Sequence, residues 1–367
     1  MKKIEDPIPK FKSEDEEREF WAAHSPLDYF DCGRVRRASF QNLKPSTIPF
    51  SPSVYEHAAF LIGRTPWEVS RDVDLIVEAH RAAFVEYRHS PIIVGIDIYN
   101  LEPEAYGAQV TPGSEGMPAI REPLVHSLEE AMQLRPFDPH RAGRIPMIIE
   151  AGMRLAEELP EADVRIPISG PFSIAANLRG IAGLLEDVAL HPETTRDWLM
   201  RLAENQKAFC SLVVESGLDV AFFESAAAPP LLSPRQFREI ELPPLRRAMD
   251  MAKEITGHPV PCVIGGDTTL ILEDLLSTGT GYVICPAETD QAAFVAKSAG
   301  YPHVAVRINL DPNTVAYGTR EQIAGEIDRI LALAATRPNC LLGTGCLPYE
   351  TPPENVYFIR EYVLSCP

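Results

Sequence analysis

VAFFESAAAPPLLSPRQFREIELPPLRRAMDMAKEITGHPVPCVIGGD, residues 220–267, contains one full repeat of the pattern that decides the fold. An apolar run, Val220–Phe223, stops at Glu224-Ser225. Ser233-Pro234 then opens a helical pattern over 234–255, with a capping serine and a proline at the first helical position. A second apolar run, Val260–Ile264, follows and stops at Gly265-Gly266-Asp267. A buried run, a helix and another buried run make one βα unit of a parallel sheet.

The same unit recurs outward in both directions. Further runs are Ile92–Ile98, Val164–Ile168, Tyr282–Cys285, Val304–Ile308 and Cys340–Leu342, and helices are predicted over 269–277 after Thr268 and over 320–335 after Thr319. This many units in succession predicts a closed (β/α)8 TIM-type barrel rather than an open sheet. Residues 1–50 read as an appendage with an acidic helical patch, Ser13 to Trp21, followed by Pro45 and Pro49. Residues 51–367 then form the barrel.

Composition narrows the function. A formal charge of −18 disfavours nucleic acid and anionic membranes, which are held by clustered Lys and Arg. Seven cysteines, an odd number with no CxxC pair, suit a reducing cytoplasm better than a disulfide framework. The charged start, MKKIEDPIPKFKSEDEEREFW, has no apolar leader core, and no apolar run is long enough to span a bilayer. The expectation is a cytoplasmic protein. No GxGxxG or GxxxxGK[ST] loop is present to hold a nucleotide, and the histidines form no nucleophilic triad.

In a barrel of this type the residues just past each strand build the site. Here they include Asp97, Glu224-Ser225, Gly266, Asp267, Asn309 and Thr344, with Cys346 beyond in a Gly- and Pro-rich loop. Asp97 reads either as a partly desolvated carboxyl that handles a ligand's proton or as a helix cap. Zinc accepts carboxylates and thiolates, so Glu224, Glu239 and Cys346 are a candidate zinc set, although Glu239 also reads as a solvated helix face.

PISGPFSIAANLRG (167–180), LLSPRQFREIELPPL (231–245), GGDTTLILEDLL (265–276), NLDPNTVAYGTREQI (309–323) and GTGCLPYETPPENV (343–356) occur in this order. Together they resemble the uroporphyrinogen decarboxylase superfamily over roughly residues 50 to 365. The resemblance implies either decarboxylation of porphyrinogens or cobalamin-dependent methyl transfer. Of the decarboxylase pattern the chain keeps Asp97, while Asn177 stands in place of a Tyr, Thr344 in place of a His, and the Arg-rich turn is missing. Of the methyltransferase zinc motif it keeps Cys346, with Val263 and Gly265 where the His and Cys would be.

The resemblance therefore implies a corrinoid-linked methyltransferase. It would move a methyl group between a methoxylated compound, folate or thiol and a separate cobalamin-binding partner protein, with zinc held atypically or not at all. Asp97 and Glu224 would handle protons. Asn177, Gly266, Asp267, Arg307, Asn309 and Thr344 would bind substrate, and the chain would pair as a homodimer. The alternatives are a decarboxylase of a smaller acid and a catalytically silent binder of a tetrapyrrole or small ligand. The stretch IPKFKSEDEEREFWAAHSPLDYFD also resembles the start of small bacterial antitoxins.

Overall fold

Eight parallel strands follow one another in chain order around a ring. A computed structural model describes residues 48–113 and 116–366, so the acidic patch at Ser13 to Trp21 lies outside the described residues. In chain order the strands are β1 Phe50–Ser53, β2 Ile92–Ile93, β3 Val110–Pro112, β4 Pro118–Ile120, β5 Val164–Ser169, β6 Asp219–Phe223, β7 Cys262–Val263, β8 Tyr282–Cys285, β9 Ala305–Leu310 and β10 Cys340–Cys346. Two parallel sheets, β2-β5-β6-β7 and β8-β9-β10-β1, make the wall, and the bridge from Pro261 to Tyr282 joins them. The remaining pair, β3-β4, is an antiparallel hairpin inserted after β2. The architecture is the (β/α)8 barrel that the runs predicted.

The strand absent from the apolar runs is the first. FSPS carries two serines and a proline, the composition of a turn rather than a buried strand. Ser51 and Ser53 pair with β10, which leaves the missing N–H of Pro52 facing the seam with β2. No strand pairing crosses that seam among the described residues, so Pro52 breaks no ladder. The compact unit begins at Ile48, and Phe50 belongs with the barrel rather than with the preceding segment.

Alternation along the strands separates two apolar zones. Phe222, Val306, Ile308, Leu310 and Leu342 face the helices and join the main core. Ala221 and Phe223 face inward and form a smaller cluster with Ile98, against which Tyr55, Tyr99 and Val263 pack.

The helices are better defined than their sequence limits suggested. Helix α1, Leu242–Thr256, is preceded by a short turn at Pro234–Gln236 and a π-helical stretch at Phe237–Glu241. Pro243 and Pro244 have no N–H to donate back along the helix, and the ladder widens just before them. The expected 269–277 helix is confined to Leu272–Leu276. Helix α2, Arg320–Ala334, starts at Thr319, whose hydroxyl and Gln322 form a reciprocal capping box.

Candidate active site

A cavity of about 510 Å³ opens at the C-terminal ends of the strands, within the range of pockets for small ligands. Its wall has one aromatic side, made by Tyr55, Tyr99 and Phe223, with Tyr55 and Tyr99 each edge-on to Phe223. The hairpin supplies Met117 and Pro118 to the rim. Glu56, Asp97 and Glu288 are the lining carboxylates, and Arg307 is the lining cation among the described residues.

Arg307 and Asn309 are two residues apart on β9, so both point inward. The Arg307 side chain crosses β10 at Gly343, where a Cβ would collide with its methylenes. It reaches β1, donating from Nη1 to the Ser51 carbonyl at 3.3 Å and from Nη2 to Ser53 Oγ at 2.9 Å. Its Nε and Asn309 Oδ1 are buried without hydrogen-bond partners.

Tyr99 and Ser225 form a second polar feature. The tyrosine hydroxyl donates to Ser225 Oγ at 2.7 Å, and the Gly265 N–H donates to the same oxygen at 3.0 Å. Cys346 also lines the cavity. Pairing between β1 and β10 slips between Ser51 and Ser53, a bulge that turns this residue toward the opening. The side chain is open to cavity water, yet the protein packed around it, and then Glu56, hold the thiol above its ordinary value against the opposing charge of Arg307. It is therefore a neutral thiol near neutrality.

Several residues singled out in the sequence have other work. Asp97 lines the cavity, but both its oxygens are taken by Arg144, from Nη1 at 2.8 Å and Nη2 at 2.7 Å, with Asn100 Nδ2 donating at 3.0 Å. It makes no cap bond to the turn after it. The expected proton donor is half of a buried ion pair.

Glu224 shares the outward parity of Phe222 and is fully buried between wall and helices, away from the cavity lining. Its Oε1 accepts from the Ser173 N–H at 2.8 Å and the Ser173 hydroxyl at 3.2 Å, while Oε2 is unpartnered. Gly170 leaves room for it, since a Cβ there would run into that carboxylate. Burial raises Glu224 well above the usual carboxylate range; burial, then the charge of Glu224, does the same to Glu241. Both Glu241 oxygens lack partners. A third buried acid, Glu102, accepts from the Ser169 N–H at 2.8 Å and is pushed up to about 7 by burial, against those hydrogen bonds.

The remaining expectations divide in the same way. Gly266 lines the cavity. Asp267 does not; it accepts from Thr289 Oγ1 at 2.6 Å and Thr269 Oγ1 at 2.7 Å and ties two loops together. Thr344 is buried and accepts from the Ser53 N–H at 3.1 Å, bracing β1. Asn177 donates to the Tyr99 carbonyl at 3.1 Å, so it supports a lining residue instead of touching the cavity.

The proposed zinc set does not assemble. Glu239 is on the surface, paired with Arg235 at 2.8 Å; Glu224 is sealed behind the wall; Cys346 alone reaches the cavity. Among the described residues no three His, Cys, Asp or Glu side chains converge on a metal position. Zinc does not fit the residues present. The lining residues missed in the sequence, Tyr55, Glu56 and Tyr99, gave no signal of their own, whereas Ser225 lines the cavity from the strand end where the sequence placed it.

An eight-stranded parallel barrel with a cavity over its strand ends defines a TIM-barrel protein of the strand-end-site type. The sequence pattern of uroporphyrinogen decarboxylase (URO-D) matches residues 37–365, and the chain belongs to that family. It is 26% identical over 297 residues to a chloroplastic uroporphyrinogen decarboxylase of Nicotiana tabacum, covering 78% of this chain and 73% of that one. Over 158 residues it is 33% identical to a uroporphyrinogen decarboxylase of Chlorobium phaeovibrioides, 41% of this chain and 43% of that one. Among solved structures a methyltransferase from Methanosarcina mazei has the same fold, with TM-score 0.74 and 19% identity over 87% of this chain and 94% of that one. Residues 6–51 match the pattern of a CopG antitoxin of a type II toxin-antitoxin system; all but the last four lie outside the described residues. Among the described residues no helix is long and apolar enough to cross a membrane.

Proposed function

We propose that the chain is a methyltransferase of this family, acting on a small, largely apolar molecule in the strand-end cavity, with the methyl group exchanged with a corrinoid carried by a separate protein. The observation that supports this over porphyrinogen decarboxylation is the charge of the cavity. One lining cation, Arg307, stands against three lining carboxylates, Glu56, Asp97 and Glu288, among the described residues. Uroporphyrinogen carries many carboxylates, each needing a cationic or hydrogen-bonding partner, and a single lining cation cannot serve them all. The fold shared with the Methanosarcina mazei methyltransferase supports the choice of reaction.

The corrinoid supplies the methyl-accepting or methyl-donating centre when its carrier docks at the cavity mouth. The chain's own residues bind and orient. Tyr55, Tyr99 and Phe223 hold the apolar body; Asn309 and the Tyr99–Ser225 pair fix its polar edge. Burial raises Glu56, which makes it the lining carboxyl best suited to hand a proton to a leaving oxygen. Zinc activation of a thiol has no part in this scheme, because among the described residues the candidate ligands Glu224, Glu239 and Cys346 do not converge.

The test is anaerobic incubation with a cob(I)alamin-loaded corrinoid protein and methoxylated acids, read by the visible spectrum of the corrinoid. Methylation of the corrinoid is expected, together with loss of the substrate methoxy group. A second reading, decarboxylation of a smaller acid, is favoured by the same buried Arg307 and predicts carbon dioxide release without any corrinoid protein. Neither product from any tested acid leaves a non-catalytic binder.

A further inference from the structure

Among the described residues Arg307 is a buried cation without a counter-ion. Its residue surface is only 8% exposed, its two terminal nitrogens are held by a carbonyl and a hydroxyl, and its Nε has no partner. No carboxylate among the described residues forms an ion pair with it, although Arg144, equally buried, has two. Leaving a guanidinium desolvated and unpaired is costly unless something anionic completes the site. The open direction is the cavity, since Arg307 lines it.

The surroundings define what that something is. Ser51, Ser53 and the missing side chain of Gly343 fix the guanidinium in place before any ligand arrives, which lowers the ordering cost of binding. Asn309 Oδ1, buried and unpartnered on the same face of β9, offers an acceptor nearby. Tyr55, Tyr99 and Phe223 line the same cavity and form its aromatic side. One cation and an apolar platform match a molecule with a single carboxylate and a hydrophobic body.

We propose that Arg307 anchors the sole carboxylate of a small aryl or alkyl monocarboxylic acid, whose body rests on Tyr55, Tyr99 and Phe223. This rests on reading the cavity as the substrate site, and it adds the substrate class. Methyl transfer is not needed for it.

Calorimetric titration of the full-length chain with 4-methoxybenzoate, hexanoate and the neutral 4-methoxybenzamide tests it. A charge-assisted hydrogen bond predicts that the methoxybenzoate binds roughly 10- to 100-fold tighter than its amide. Arg307→Met should abolish that preference. Because Arg307→Met also removes the bonds to β1, a second variant is needed: Ser53→Asp places a carboxylate where Nη2 already donates and supplies an internal counter-ion. It should keep the fold, seen in a single cooperative melting transition, and lose acid binding, even though the Ser53 hydroxyl's bond to the Thr344 carbonyl is lost. Equal affinity for acid and amide, a preference that survives Arg307→Met or Ser53→Asp, or no binding of either acid would overturn the proposal. Binding is read without a corrinoid protein. Arg307-dependent binding with no methyl transfer therefore sinks only the transfer reading, and transfer that ignores Arg307 sinks only the anchor.

Discussion

Asp97 and Glu224 both stand just past an apolar run, and the barrel gives them opposite surroundings. Asp97 comes off β2 on the cavity side and meets Arg144 through two hydrogen bonds, 2.8 and 2.7 Å. Glu224 comes off β6 on the helix side and meets another acid, Glu241, with no cation to balance either. The first carboxylate faces a cation; burial pushes the second well above the usual carboxylate range. Position at a strand end thus says little until the side of the wall is known.

Breaking the balanced side should have the larger effect. Arg144→Met leaves Asp97 buried without its cation, while Glu104 keeps Arg71, and is expected to cost about 3–5 kcal/mol of stability, measured by urea unfolding. A variant as stable as the wild type would mean that the ion pair is not the support of the cavity's first loop.

The acid-rich side makes a pH prediction. Glu102 is ordinary at 4.5 when unfolded and about 7 when folded. Between those values the folded chain binds more protons than the unfolded one, so stability falls as pH rises through that window, by ~3 kcal/mol in all. Glu224 and Glu241 shift in the same direction and carry the decline further up. Glu102→Gln should flatten the slope between pH 5 and 7; a stability curve that instead rises over this range contradicts the picture.

Relieving the acid-rich side should help. Both Glu241 oxygens are buried and unpartnered, so Glu241→Met is expected to gain about 1–3 kcal/mol at neutral pH. A loss of stability there would show that Glu241 has a partner that its surroundings do not reveal. The smallest effect belongs to Glu239→Ala. It removes one exposed ion pair with Arg235 and should change stability by no more than about 0.5 kcal/mol, with the metal content of the purified protein unchanged.

Much of the barrel was legible because buried parallel strands are apolar and bounded by helix signals. Seven runs mark seven of the eight wall strands. The eighth, FSPS, was not legible: its pairing with one neighbour tolerates a proline, and its serines serve Arg307 rather than the core. The site was legible in part. Ser225, Asn309 and Gly266 lie in the cavity as strand-end reasoning expected, and Arg307 as the family resemblance implied. Glu224 was misplaced because a single residue of alternation decides between cavity and helix layer. Cys346 reaches the cavity through a bulge that no local pattern announces. Glu56 stands in the first turn of the helix Tyr55–Leu61 that follows β1, the strand the apolar runs did not mark.

The central claim is that a cavity with one lining cation, Arg307, selects a small acid for methyl transfer and rejects a porphyrinogen. Its most direct measurement gives the purified chain, in parallel anaerobic reactions, uroporphyrinogen alone and a methoxylated monocarboxylic acid with a cob(I)alamin-loaded corrinoid protein. The account predicts unchanged uroporphyrinogen by chromatography and a methylated corrinoid by its spectrum. Porphyrinogens that lose carboxylates, with the corrinoid left unmethylated, would contradict it.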